Sequence, residues 1–199
     1  MGRGALKMIV WIRQLGFDGP YDEGLIQKTL HREEVLDNVQ IEVVTFLTNV
    51  LDASVPRSIA EEARQQLRIA HEYESISDRL ADVLRTYLKL RKKRLELPAD
   101  HFAGLRDLHD AVAEFLQMVT EAYARRQPLD DPVVRGAAAA INRRIKTLRS
   151  DHLERMIESS VDPNLTLMFT GLLTDYRRIR AHVTNIYEAF AAGGEMSVD

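Results

Sequence analysis

The stretch HEYESISDRLADVL, His71 to Leu84, decides how this chain reads. Its apolar residues return at helical rather than alternating spacing, so it is the middle of a long helix. One row runs Leu67, Glu74, Ala81 and Leu88, and beside it lie Ala70, Ser77 and Leu84. Glu74 and Asp78 thus stand one helical turn apart on the side that should face a neighbouring helix. Carboxylates in such a seam are costly unless paired, hydrogen-bonded or bound to a cation. The segment also has a double. Ala70–Leu84 aligns with LTDYRRIRAHVTNIY, Leu173–Tyr187, at a shift of 103. Glu72 then falls on Asp175, Tyr73 on Tyr176, Ile76 on Ile179, Leu80 on Val183, Asp82 on Asn185 and Val83 on Ile186.

Turn residues cut the chain around this repeat. GFDGPYDE, DASVPRS, LELPADH, RQPLDDP and SSVDPN separate six helical segments, at about 4–16, 22–53, 56–95, 99–126, 131–158 and 163–192. Asp131-Pro132 and Asp162-Pro163 read as an N-cap followed by proline at the first helical position. Ser58–Glu61 has the capping-box pattern, with Pro56 as an earlier candidate start. No segment sustains period-two alternation, so the expected fold is all-α. Long helices joined by short turns pack as antiparallel neighbours. With the repeat, this predicts two tandem three-helix bundles, 1–96 and 97–199, within one domain.

The second segment repeats the anomaly. Its rows Ile26, Glu33, Gln40, Leu47 and Leu30, Asp37, Val44, Leu51 are largely apolar but are interrupted by Glu33 and Asp37. A parallel stripe of Val35, Val39, Val43, Phe46 and Val50 predicts a broadly buried helix lying between two neighbours. Two adjacent helices would each present Glu-x-x-x-Asp, and four converging carboxylates cannot all ionise uncompensated. A hard, oxygen-seeking cation answers that problem. Arg64, Arg68, Arg79 or Arg85 could instead pair with the acids and leave a dry ion-pair network.

Composition narrows the classes. A net charge of -3 lacks the basic excess of a general nucleic-acid binder. The absence of cysteine removes disulfides, thiolate metal sites and cysteine nucleophiles, and suits a cytoplasmic protein. No apolar run approaches the ~18–20 residues that span a bilayer. The opening MGRGALKMIVWIRQLGF reads as an amphipathic helix rather than a signal peptide, and its first residues suit a chain cut from a longer protein.

At these residues a family resemblance enters. HEYESISDRLADVL resembles the PhoU signature, and LLTDYRRIRAHVTNIYEAF, Leu172–Phe190, resembles its second copy. HREEVLDNVQIEVVTFLTNVL, His31–Leu51, looks like the cytoplasmic PhoU-like domain of bacterial sodium/phosphate cotransporters. The resemblance covers nearly the whole chain. It implies tandem three-helix bundles that hold multinuclear iron or zinc clusters on Glu/Asp-x-x-x-Asp motifs. It also implies a role in tuning phosphate uptake and signalling rather than in catalysis. Glu33, Asp37, Glu74 and Asp78 match the motif positions of the first bundle. The expected partners are the membrane domain of a phosphate transporter, in the same chain or a separate one, and a second copy of the chain. The expected location is the cytoplasm, including the inner face of the plasma membrane as part of a larger membrane protein.

The second bundle departs from the family pattern. Glu74 corresponds to Arg177 and Asp78 to Ala181, while Ala139 and Arg143 stand where Glu33 and Asp37 would fall. No metal cluster is expected there. Arg143, Arg144, Lys146 and Arg149 gather on one helix and Arg177, Arg178 and Arg180 on the next. They read as a solvated face with ion pairs to Asp151, Glu154 and Asp175, or as an anion or partner surface. Leu88–Glu96, rich in Lys and Arg, is a favourable helix end that would also suit anionic lipid. Two rival readings stand beside the regulator: a metal-free helical interaction module, and a carboxylate-bridged metal-dependent hydrolase. The hydrolase finds little support. No histidine here has Glu three positions before it, as diiron bundles require, and no Walker-type loop is present.

Overall fold

The computed structural model describes residues 1–127, 129–158 and 161–194. Six α-helices carry the fold: α1 Gly2–Arg13, α2 Glu23–Asp52, α3 Arg57–Lys93, α4 Ala99–Arg125, α5 Asp131–Glu158 and α6 Pro163–Gly194. A single π-helical turn, Gln14–Asp18, extends α1. No strand occurs among the described residues, as the periodicity predicts. None of these helices is long and apolar enough to cross a membrane.

Local chemistry sets the ends. Asp22 caps α2 by accepting the Leu25 backbone N–H at 3.0 Å. Asp162 accepts the Asn164 backbone N–H at 2.7 Å, and Pro163 opens α6 as expected. At α5 the cap moves one residue back: the Asp130 carbonyl accepts the Val133 N–H at 3.0 Å, and Asp131 is already helical. The capping box at Ser58 does not form. Pro56 is the N-cap of α3, so Ser58 lies inside the first turn, where Glu61 takes the Arg57 guanidinium at 2.6 Å. α3 and α4 end without glycine, on Arg94 and Arg126, each at φ 52°.

α1, α2 and α3 pack on one another, and so do α4, α5 and α6. The halves are joined chiefly along α3 and α6, which run antiparallel: Gln65 donates to the Ala189 carbonyl at one end and Lys93 to Asn164 at the other. The apolar positions matched by the repeat meet here. Tyr73, Ile76, Leu80 and Val83 are buried, as are their counterparts Tyr176, Ile179, Val183 and Ile186. These residues and the inner faces of α1 and α4 form one continuous core. Gly104 lets α4 approach α5 closely, since a Cβ there would lie 2.4 Å from Leu148 Cδ2.

The repeat is also visible in the polar groups of the seam. Glu72 on α3 accepts from His182 at 2.7 Å and from Asn185 at 3.1 Å on α6. Its counterpart Asp175 on α6 faces Arg79 at 3.7 Å on α3, and at the shift of 103 Arg79 is the counterpart of His182. Each copy's seam acid thus meets the same position of the other copy, a pseudo-two-fold relation across α3 and α6.

One expectation fails. The Val35–Val50 stripe does not make α2 broadly buried: Val35, Val39, Val43 and Val50 are half-buried, and Phe46 is 67% exposed. α2 runs antiparallel to α1, with Trp11 beneath Lys28 and Arg32 and Gly4 against Leu36. At ~1.5 Å per residue, twelve-residue α1 covers little more than a third of α2. Beyond about residue 40, α2 runs past the reach of α1, and Ile41 and Phe46 are exposed.

Candidate metal site

The antiparallel packing of α2 on α3 brings the two acid pairs to one place. Glu33, Asp37 and Asp78 each offer a carboxylate oxygen, and these oxygens lie within 4.8 Å of one another. All three residues are half-buried. Glu74 stands aside from this triad. Its carboxylate accepts from Ser75 Oγ at 3.2 Å and faces His71 at 3.7 Å, while still adding negative charge to Asp37 and Asp78. Three of the four predicted ligands therefore converge, and the fourth borders them.

The electrostatics show a cluster short of positive charge. Burial, then the charges of Glu74, Asp37 and Glu33, pushes Asp78 up to about 6. Burial, then Glu33 and Glu74, raises Asp37 above the ordinary carboxylate range. Asp37 Oδ1 is buried and has no hydrogen-bond partner. Of the four arginines that could neutralise the acids, Arg85 alone forms an ion pair with the triad among the described residues, at 3.2 Å from Glu33, while the charge of Arg79 lowers Asp78 only in part. Arg85 is shared with Asp82 at 3.1 Å. Arg79 holds Asp82 at 2.8 Å as well as facing Asp175. Arg68 lies 3.9 Å from Glu188, and Arg64 is exposed without a pair among the described residues.

Asp82 is a neighbour of the triad that spacing alone did not single out. It stands four residues after Asp78, so its place on the same face was legible, but its bond to two arginines depends on the register between helices. A chain of ion pairs results, from Glu33 through Arg85, Asp82 and Arg79 to Asp175 on α6.

The oxygen-only donor set suits a hard cation. Asp37 Oδ1 is the atom such an ion would satisfy, and the raised Asp78 is the group it would return to the ionised form. The residues therefore fit a cation by charge and donor chemistry.

The second half offers no such set. Ala139, Arg143, Arg177 and Ala181 occupy the corresponding positions, and no further group of three ligand side chains gathers among the described residues. Among the described residues the basic residues make none of the expected ion pairs at close range, although the charge of Arg178 reaches Asp175. Asp175 is engaged by Arg79, and Glu154 accepts from Ser150. Arg143, Arg144, Lys146, Arg149, Arg177 and Arg178 are exposed, with no ion pair among the described residues. Arg143 and Arg144 line a groove between α4 and α5 together with Asp100, Asp107 and Asp151, so that surface is mixed in sign.

No family model matches the chain, and no curated protein matches it. A solved structure does. The crystal structure of PhoU from Pseudomonas aeruginosa superposes with a TM-score of 0.86, over 98% of this chain and 92% of that one, at 19% sequence identity. The chain has the PhoU fold. At that identity the likeness concerns the path of the backbone, and the chemistry of each site rests on the residues described above.

Proposed function

We propose that this chain is a non-catalytic, cation-loaded regulator of phosphate uptake that acts on a membrane-embedded phosphate transporter. The observation that carries the reading is the Glu33, Asp37 and Asp78 triad, whose oxygens converge within 4.8 Å while one shared arginine pairs with it directly and Arg79 offsets Asp78 only at longer range. The PhoU fold supports the phosphate-linked role. Glu33, Asp37 and Asp78 would hold the ion, with Glu74 and Asp82 at its border. When bound, it supplies the positive charge that lets all of these carboxylates ionise in a half-buried seam. Of the two metals implied by the resemblance, the all-oxygen set favours iron over zinc, which more often takes nitrogen and sulfur.

Elemental analysis of the purified chain beside Glu33→Gln/Asp78→Asn tests the first part. Wild type is expected to retain iron or take it up on titration, and the variant to retain none. A folded wild type that binds no iron, zinc, manganese or magnesium refutes it. The regulatory part is tested by phosphate uptake in cells producing either form, where identical uptake counts against it.

The existing Glu33–Arg85 bond at 3.2 Å, with Ile41 and Phe46 exposed on α2, favours a second reading. In that reading the chain is a metal-free helical interaction module, and a metal-free wild type would select it.

A further inference from the structure

A groove between α5 and α6 lies beside the place that corresponds, in the second half, to the carboxylates between α2 and α3. Ala139 alone of the four equivalent positions lines this groove. Its volume is about 320 Å³, and Ala138, Ala139, Asn142, Arg180, Thr184 and Tyr187 form much of its wall. Alanine at 139, where the first half has Glu33, leaves room. The charges at its rim are largely matched: Asp131 is held by Arg135 at 2.5 Å, and Glu188 faces Arg68 at 3.9 Å.

Arg180 is the exception. Its Nε is buried and has no hydrogen-bond partner, and the guanidinium forms no ion pair among the described residues. Burial and the nearby Arg177 push its pKa below the ordinary arginine value. Asp175, the acid closest in sequence, is engaged by Arg79. A half-buried guanidinium without a counter-charge is costly, and an orphaned buried donor calls for a partner. The Thr184 hydroxyl is spent on the Arg180 carbonyl at 3.0 Å, which leaves the Asn142 amide as the neutral donor on the facing helix.

We propose that this groove is an anion site for a small tetrahedral oxyanion of the phosphate class, anchored on Arg180 and supported by Asn142. A guanidinium fork matches the oxygens of such an anion, and the charge of Arg177 nearby adds to the attraction. The site does not depend on the reading of the carboxylate cluster. Its unpaired charge is opposite in sign to that cluster, and the two share one position of the repeat, Ala139 for Glu33.

The test is calorimetric titration of the full, chelator-treated chain with inorganic phosphate at constant ionic strength. Saturable binding is expected in wild type, Arg144→Gln and Asp78→Asn, with at least a tenfold loss in Arg180→Gln. Arg180→Lys keeps the charge but not the fork, and a weakening there establishes the anchor even if the glutamine variant fails to fold. Sulfate should compete and acetate should not. No saturable binding up to about 10 mM, equal weakening by Arg144→Gln, or competition by acetate as strong as by sulfate would overturn the proposal. A second readout follows from linkage: phosphate should raise the melting temperature of wild type and leave that of Arg180→Gln unmoved.

Discussion

His109 gives the sharpest test of how the four central helices are joined. The ring is 1% exposed on α4, and both of its nitrogens are engaged. Nε2 meets the Ile9 carbonyl of α1 at 2.9 Å, and a carbonyl only accepts, so Nε2 carries the proton. Nδ1 must then accept from the Tyr176 hydroxyl of α6 at 2.8 Å, which in turn accepts from Tyr87 of α3 at 3.2 Å. The neutral imidazole thus sets the direction of a chain through all four helices. Burial lowers its pKa from 6.5 to about 4. The unfolded chain therefore binds the proton first, and stability is lost as pH falls below about 6.5. The loss works out at about 2 kcal/mol by pH 5 and about 3 kcal/mol by pH 4. His109→Phe keeps the ring but not the bonds, and should cost about 1–2 kcal/mol near pH 7. Other groups also titrate, so the quantity to measure is the stability difference between wild type and variant, by urea unfolding across pH. Wild type should lead at neutral pH, and the two curves should cross near pH 5. A constant gap from pH 7 to pH 4 would refute the reasoning, as would an imidazole titrating near 6.5 by NMR.

Two further outcomes follow from particular groups. Asp78 has its pKa raised in the folded state, so the chelated protein is destabilised by it above about pH 6 and relieved as pH falls. After a discount for exposure, Asp78→Asn should gain about 1 kcal/mol, or roughly 2–4 °C in melting temperature, with chelator present, and should lose any stabilisation by added iron. A melting temperature that falls in chelator would contradict this, and scanning calorimetry at neutral pH decides it. Arg94 closes α3 in the left-handed region at φ 52°. Arg94→Gly should therefore stabilise by about 0.5–1 kcal/mol, read as a shift in urea midpoint at unchanged slope.

Much of this architecture is legible in the residues, for reasons that can be named. Proline and aspartate at each break stop one helix and start the next, so Asp22–Asp52 and Asp131–Glu158 read almost to the residue. Glu33 and Asp37 are legible as a site because heptad rows turn them toward a neighbour, and Asp78 because it stands one turn after Glu74. Glu74 lies in a row of the same kind, but its carboxylate turns to Ser75 and His71. What the pattern cannot carry is length matching. The valine stripe of α2 says which side is apolar, while its burial depends on how far twelve-residue α1 extends beside it. Ion pairing is illegible for a related reason. Arg64, Arg68, Arg79 and Arg85 are equivalent on paper, and the register between helices alone gives Glu33 to Arg85 and Asp175 to Arg79.

The repeat separates what the fold needs from what the site needs. Tyr73 with Tyr176, Ile76 with Ile179, Leu80 with Val183 and Val83 with Ile186 keep apolar bulk in both copies, each at 3% exposure or less. The seam acids Glu72 and Asp175 also persist, because each meets a partner from the opposite copy across α3 and α6. By contrast, the positions of Glu33, Asp37, Glu74 and Asp78 become Ala139, Arg143, Arg177 and Ala181 without disturbing any of those contacts. The first-half acids lie where α2 meets α3, while Arg143 and Arg177 are exposed and Ala139 lines the α5–α6 groove. A change of sign there alters what the groove attracts while the buried rows go on packing. One backbone thereby carries an acid-lined seam in its first half and, in its second, a groove whose unpaired charge is an arginine.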